Sequence, residues 1–247
     1  MDNQTAIITG ASTGIGKAIT RLFLAKGYNV IMNSRSYENL EEAHAEFDSP
    51  NNALLVAGDI SDKATGEKLV KTAIDKFGSV DVLINNAGIF NPKPFLDVKE
   101  NDLDGFLSVN LKGTYYTSQA AIRQMLNQEG GAIINIGTVL VDHAITGFPA
   151  TAPITSKGAI HALTRQLAAE FGKDNIRVNT ISPGIIRSPL QGKMGINDAD
   201  SLAMLHLLNR IGEPEEVAEA AYYLATSRFV TGETFNVAGG HTVGHAI

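Results

Sequence analysis

"TGASTGIG", residues 9–16, decides how the rest of the chain is read. It follows the apolar run "TAIIT" (5–9) and precedes an amphipathic stretch expected to become helical near Ile15. Glycines at 10, 14 and 16, between a strand and a helix, let the backbone turn tightly and approach an anion closely. The helix N-terminus behind them adds unpaired amides and the positive end of its dipole. Gly10, Ser12, Thr13, Gly14, Ile15 and Gly16 are therefore candidates for holding a pyrophosphate. A glycine-rich turn can also be no more than a turn, so the surrounding sequence has to discriminate.

Outward from this loop, short β-branched runs alternate with longer amphipathic stretches. The runs are "NVIM" (29–32), "ALLVAG" (53–58), "VDVLINN" (80–86), "GAIINIG" (131–137), "IRVNTISPG" (176–184) and "GETFNVAGG" (232–240). Apolar strands separated by helices predict a parallel sheet buried on both faces. The expected fold class is α/β: a single-domain, Rossmann-like, doubly wound parallel sheet with helices on both faces, spanning residues 1–247. No linker or repeat divides it. "GEPEEVAEAAYYLAT" (212–226) predicts a capped helix with acids in its first turn. The least regular long insertion, "SPLQGKMGINDADSLAMLHLLNR" (188–210), is expected to act as a lid over a site at the strand ends.

Composition narrows the function classes. At 247 residues and 44% hydrophobic, the chain fills one α/β domain. Its net charge of -6, with basic residues scattered, argues against a nucleic-acid partner. There is no cysteine, so thiolate catalysis and disulfides are excluded. The N-terminal "MDNQTAIITG" carries an acid where a signal peptide would be basic, and no apolar run approaches a membrane span. A cytoplasmic protein without membrane attachment is expected, acting on a small-molecule substrate. No motif calls for a metal.

The spacing Gly10, Gly14, Gly16 resembles the glycine motif of the short-chain dehydrogenase/reductase family. The resemblance continues through "GDIS" (58–61), "NNAG" (85–88), "VNLKG" (109–113), "NIG" (135–137), "TSKGA" (155–159), "RVNTISPG" (177–184) and "GEPEEVA" (212–218), covering nearly the whole chain in order. It implies seven strands, a nicotinamide cofactor, and a homodimer or homotetramer formed through helices near 100–127 and 153–171 and through the last helix and strand. By the same resemblance Asp59 and Ile60 bracket the adenine, and Asn86, Ala87 and Gly88 support the adenosine ribose. Pro183, Gly184, Ile186 and Ser188 lie along the nicotinamide, with Ser188 where threonine is more usual. Taken singly, Asp59 would equally punctuate a turn and Asn86 would equally brace neighbouring loops.

Charge bears on which nicotinamide cofactor is bound. An NAD site of this architecture places an acid about 20 residues after the glycine loop, on the ribose 2′-hydroxyl. Here "VIMNSRS" puts Ser34 at that position and Arg35 beside it. A guanidinium suits a 2′-phosphate and no carboxylate repels it. NADP(H) is therefore the expected cofactor, with NAD(H) possible; the alternative is that Arg35 is a solvated surface charge.

The resemblance also implies an Asn, Ser, Tyr and Lys that cooperate in hydride and proton transfer. Asn110 matches the asparagine and Lys157 the lysine, which holds the nicotinamide ribose. Thr138 stands at the serine and keeps a hydroxyl for a substrate oxygen. The tyrosine position, four before Lys157, is Pro153. Proline suits a first helical turn but has no proton to give. His143, beside Asp142 in a segment longer than the family pattern before "GFP", is a candidate replacement acid. Some relatives that reduce enoyl thioesters also lack the usual tyrosine and use a residue from this segment. Tyr115 and Tyr116 are expected in the core. Two readings follow: an NADP(H)-dependent oxidoreductase acting on a carbonyl or activated alkene with an altered proton donor, or a catalytically silent NADP(H)-binding protein with a regulatory or partner-supporting role.

Overall fold

The apolar runs form seven strands: β1 (Thr5–Thr9), β2 (Asn29–Ser34), β3 (Ala53–Ala57), β4 (Val82–Asn85), β5 (Gly131–Ile136), β6 (Ile176–Pro183) and β7 (Thr234–Val237). Among the described residues seven α-helices accompany them: α1 (Gly14–Ala25), α2 (Tyr37–Ala45), α3 (Lys63–Phe77), α4 (Glu100–Phe106), α5 (Gly113–Met125), α6 (Thr151–Phe171) and α7 (Pro214–Thr226). The computed structural model describes residues 3–189, 192 and 198–246. The sheet order is β3-β2-β1-β4-β5-β6-β7, and every neighbouring pair is parallel. The order reverses between β1 and β4, which opens a crevice at their carboxyl ends.

Period-two alternation sends neighbouring strand residues to opposite faces. Ile8, Val30, Met32 and Ile84 pack with Phe23 of α1 and Leu224 of α7 in one core. Ile7, Ile31, Leu83 and Ile133 pack with Leu69 of α3 and Met125 of α5 in the other. Each such side chain contributes about 1.5–3 kcal/mol of burial free energy, so the helices clamp the sheet from both sides. Gly66 lets α3 approach α5: a Cβ there would stand 3.2 Å from the Thr117 Cα.

The first helix starts at Gly14, next to the expected Ile15. α6 starts at Thr151, which makes Pro153 its third residue, still within the first turn. Tyr115 is 48% exposed on α5 instead of buried in the core, because Thr114, Thr117 and Ser118 occupy the inward face. In the 188–210 insertion, Ala199–Leu205 forms a 3-10 helix, whereas residues 190, 191 and 193–197 lie outside the described residues.

Candidate active site

The glycine loop is shaped by its neighbours as well as by its own sequence. Gly10 and Gly14 have φ of +64° and +52°, in the left-handed region that favours glycine. A Cβ on Gly16 would overlap the Gly10 carbonyl oxygen. Asn86, just after β4, donates from Nδ2 to the carbonyls of Thr9 (3.0 Å) and Gly10 (3.1 Å). The backbone amides of Asn86 and Ala87 both donate to Thr9 Oγ1 at 3.0 Å. Asn86 thus braces the loop from the β4 side, and the Ala11 amide ties it to β2 by donating to the Asn33 carbonyl at 2.9 Å. Thr13 caps α1 without a side-chain hydrogen bond, so the first-turn amides keep capacity for an anion.

At the outer end, Ser34 Oγ donates to the Ser36 carbonyl. Arg35 is exposed and forms no ion pair among the described residues. Asp59 Oδ1 accepts from the amide and hydroxyl of Ser61 at 2.9 and 2.8 Å, a local turn that leaves its other oxygen available. Ile60 is buried against Gly113, where an added Cβ would stand 2.6 Å from its Cδ1.

A cleft of about 620 Å³ runs from the glycine loop across the carboxyl ends of the strands. Gly10, Thr13, Gly14 and Ile15 line one end, followed by Asn86, Ala87 and Gly88. Thr138 and Lys157 line its middle, opposite Pro183, Gly184, Ile186 and Ser188. The remaining wall is mainly apolar, with Ile89, Phe90, Leu140, Ile145 and Phe148 joined by Leu202, Met204 and Leu205 from the 3-10 helix, and with Thr146 and Ser201 as its polar members. Phe90 and Phe148 stack with ring centroids 6.1 Å apart. No sequence motif marked these apolar residues, since they are joined only by the folding of separate loops.

Asn110 sits behind this wall. Leu107–Lys112 is wound as a π-helix between α4 and α5, and Asn110 within it is fully buried. Its side chain pairs with one backbone unit: Oδ1 accepts from the Ile89 amide (2.8 Å) and Nδ2 donates to the Ile89 carbonyl (3.0 Å). The same Nδ2 donates to Ser156 Oγ at 2.9 Å, and Ser156 Oγ donates to the Pro153 carbonyl at 2.7 Å. Asn110 and Lys157 flank Gly88, whose added Cβ would stand 3.1 Å from Asn110 Oδ1 and 3.3 Å from Lys157 Nζ. A side chain at position 88 would crowd both.

Lys157 Nζ donates to the Ile136 carbonyl at 2.6 Å. It has no carboxylate partner among the described residues, and burial lowers its pKa to about 8. Pro153, one turn earlier on α6, is buried and does not line the cleft. Thr138 Oγ1 accepts a hydrogen bond from the Leu140 amide at 3.3 Å, which leaves its own proton free to donate.

Beneath the cleft a chain of buried hydrogen bonds crosses three strands. Thr117 Oγ1 donates to Asn85 Oδ1 (2.6 Å), Asn85 Nδ2 to Asn135 Oδ1 (2.9 Å), and Asn135 Nδ2 to Thr164 Oγ1 (2.9 Å). Thr164 in turn meets Thr180 Oγ1 at 2.7 Å. This ties α5, β4, β5, α6 and β6 into one rigid floor. The asparagines stood inside apolar strand runs, the one sequence signal that could have revealed the floor.

His143 lies elsewhere. It does not line the cleft; its ring packs against His241 and His245 with centroids 5.4 and 5.2 Å apart. His206 joins them, 5.2 Å from His241. Among the described residues no group of three His, Asp or Glu side chains could hold a metal ion, and no helix is long and apolar enough to cross a membrane.

Residues 10–242 match a family model described as enoyl-(acyl carrier protein) reductase. The chain is 34% identical over 244 residues to the 3-oxoacyl-[acyl-carrier-protein] reductase FabG of Thermotoga maritima, covering 97% of this chain and 98% of that protein. It superposes with a TM-score of 0.90 on ElxO with NADP bound, at 30% identity, covering 97% of this chain and 98% of that one. A tyrosine-to-phenylalanine variant of ElxO with NADPH bound matches equally, with a TM-score of 0.90 at 30% identity and coverage of 97% and 98%. With the crevice, glycine loop and lysine already in place, these matches make the chain a member of the short-chain dehydrogenase/reductase family of nicotinamide-dependent oxidoreductases.

Proposed function

We propose that this chain is an NADP(H)-dependent oxidoreductase that reduces a carbonyl or activated alkene on an apolar small molecule, using a proton donor other than tyrosine. The observation that carries the reading is the single cleft that joins the glycine loop to Lys157 and Thr138 and then continues into an apolar half. A protein that only held a nucleotide would have no use for that second half.

Bound in the cleft, a reduced nicotinamide supplies hydride. The residues of the chain do the rest. Amides of Gly10 to Gly16, with Ser12 and Thr13, hold the pyrophosphate at the start of α1. Arg35 meets the 2′-phosphate beside Ser34, Asp59 and Ile60 bracket the adenine, and Asn86, Ala87 and Gly88 support the first ribose. Lys157 holds the second ribose, with Asn110 fixing Gly88 and Ile89 beside it. Pro183, Gly184, Ile186 and Ser188 form the floor under the nicotinamide. Thr138 donates a hydrogen bond from its hydroxyl to the substrate oxygen, and the 3-10 helix within the 188–210 lid excludes water from the apolar half. His143, packed against His241 and His245, orders the loop above the cleft. The ElxO structures with NADP and NADPH support the cofactor choice. Self-association into dimers or tetramers belongs to this reading too, supported by the exposed Leu103, Tyr115 and Leu126 along the 100–126 helical stretch.

The test is consumption of NADPH by the purified protein with quinones, diketones, aldehydes and enones, while fluorescence confirms bound cofactor. Turnover with at least one class is expected. Replacing Arg35 with alanine is expected to weaken NADPH binding about tenfold and leave NADH binding unchanged. Saturable NADPH binding without turnover on any class would replace this reading with that of a silent NADP(H)-binding protein.

A further inference from the structure

We propose that Lys157 itself delivers the proton to the reduced substrate, so that it acts as the general acid as well as the ribose ligand. The inference rests on the oxidoreductase reading above and concerns the same cleft.

Among the described residues that line the cleft, Lys157 is the one ionisable side chain. The other candidates are placed elsewhere: Pro153 has no proton, His143 packs on His241 and His245, and Tyr115 is on the exposed face of α5. His206 is committed as well, because its Nε2 accepts from the Ile185 amide at 3.1 Å.

An ammonium carries three protons, and one of them is held by the Ile136 carbonyl at 2.6 Å. Two remain, and both Lys157 and Thr138 line the cleft.

The groups around Lys157 leave its charge uncompensated. Asn110 from the π-helix, Gly88 after β4 and Ser156 on α6 are neutral. His161, one turn further along α6, is held below its usual pKa first by burial and in part by Lys157 itself, with Asp142 acting in the opposite direction. Burial accordingly brings Lys157 to about 8, within the range in which a general acid works near neutral pH.

The step balances. The carbonyl carbon gains hydride from the reduced nicotinamide, which is oxidised by two electrons, and the C=O π pair moves to oxygen. An N–H bond of Lys157 breaks, leaving its electron pair on Nζ, as the new O–H bond forms. The neutral amine regains a proton from solvent once product has left.

Four measurements test the assignment. The first needs no turnover: the ε-carbons of ¹³C-lysine-labelled protein are titrated by NMR without nucleotide, with Lys157 assigned by its loss in Lys157→Arg. Lys157 is expected to titrate near 8; its titration at the ordinary lysine value of about 10.4 would overturn the proposal. The second is the pH profile with a substrate that turns over. Wild-type kcat/KM is expected to fall about tenfold per pH unit above the Lys157 pKa.

Lys157→Arg keeps the charge but not a usable proton. It is expected to bind NADPH and to lose about 100-fold or more in kcat. In Lys157→Ala, added ammonium or ethylamine is expected to restore part of the lost turnover, which covers the case in which arginine does not fit. A flat wild-type profile, full turnover in Lys157→Arg, or no rescue of Lys157→Ala by either amine would overturn the assignment while leaving the oxidoreductase reading intact. NADPH binding with no wild-type turnover would overturn both.

Discussion

The two halves of the cleft are built on opposite principles. The nucleotide half is polar, formed by adjacent strand ends, and over-determined: Thr9, Gly10, Gly16, Asn86 and Ala87 constrain one another through backbone hydrogen bonds and close contacts. The substrate half is mainly apolar and assembled from segments far apart in sequence, 89–90, 138–140, 145–148 and 201–205, with Lys157 the one ionisable group lining the cleft among the described residues. A phosphate site must present many fixed dipoles and therefore tolerates little change. An apolar pocket needs only shape and exclusion of water, so its residues are exchangeable.

Breaking the first half should have the largest effect. Gly16→Val places side-chain atoms on the Gly10 carbonyl and Asn86 Nδ2, so NADPH binding is expected to fall by about 100-fold or more, measured by fluorescence titration. Wild-type affinity in that variant would show that the loop is only a turn.

Sharpening the second half comes next. Pro153→Tyr introduces a phenol one turn before Lys157 on α6. Turnover of unactivated ketones is expected to rise by about 10²-fold, with the alkaline limb of the pH profile no longer tracking Lys157. No gain would mean that the altered loop before "GFP" blocks the position as well.

The smallest expected effect concerns the histidine cluster outside the cleft. His241 is fully buried, and both its ring nitrogens lack partners among the described residues. Burial first, and the neighbouring His206, His143 and His245 second, lower its pKa to about 4. Because the folded value lies below the unfolded value of about 6.5, the unfolded chain takes up the proton first as pH falls. The stability associated with neutral His241 is complete above about pH 6.5 and is lost progressively between 6.5 and 4. His206, lowered mainly by burial, acts with the same sign. Melting temperature is expected to drop through this window, by an amount worth about 1–3 kcal/mol, and His241→Gln should flatten the drop. An unchanged slope in His241→Gln would remove His241 from the account.

Legibility in sequence followed the same division. The strands were readable because a sheet covered on both faces selects unbroken apolar runs, and "TAIIT" coincides with β1. The glycine loop was readable because positive φ and close approach restrict the residue type at Gly10, Gly14 and Gly16. Asn110 and Lys157 were found through the motifs around them, whereas Ser156, which links Asn110 to the Pro153 carbonyl, was not. His143 illustrates the limit: its residue type suggested acid catalysis, but its position among other histidines is set by the C-terminal segment, nearly 100 residues away in sequence.

By itself, then, the sequence determined the α/β class, the order of strands and helices, the nucleotide loop and the lack of a proton donor at position 153, because each depends on local periodicity or on one residue's covalent chemistry. Only the tertiary structure decided which ionisable group borders the substrate half, that Lys157 is desolvated without a counter-ion, and that four histidines meet. Those depend on distances between segments that sequence spacing does not encode, and on the dielectric environment that packing creates around them.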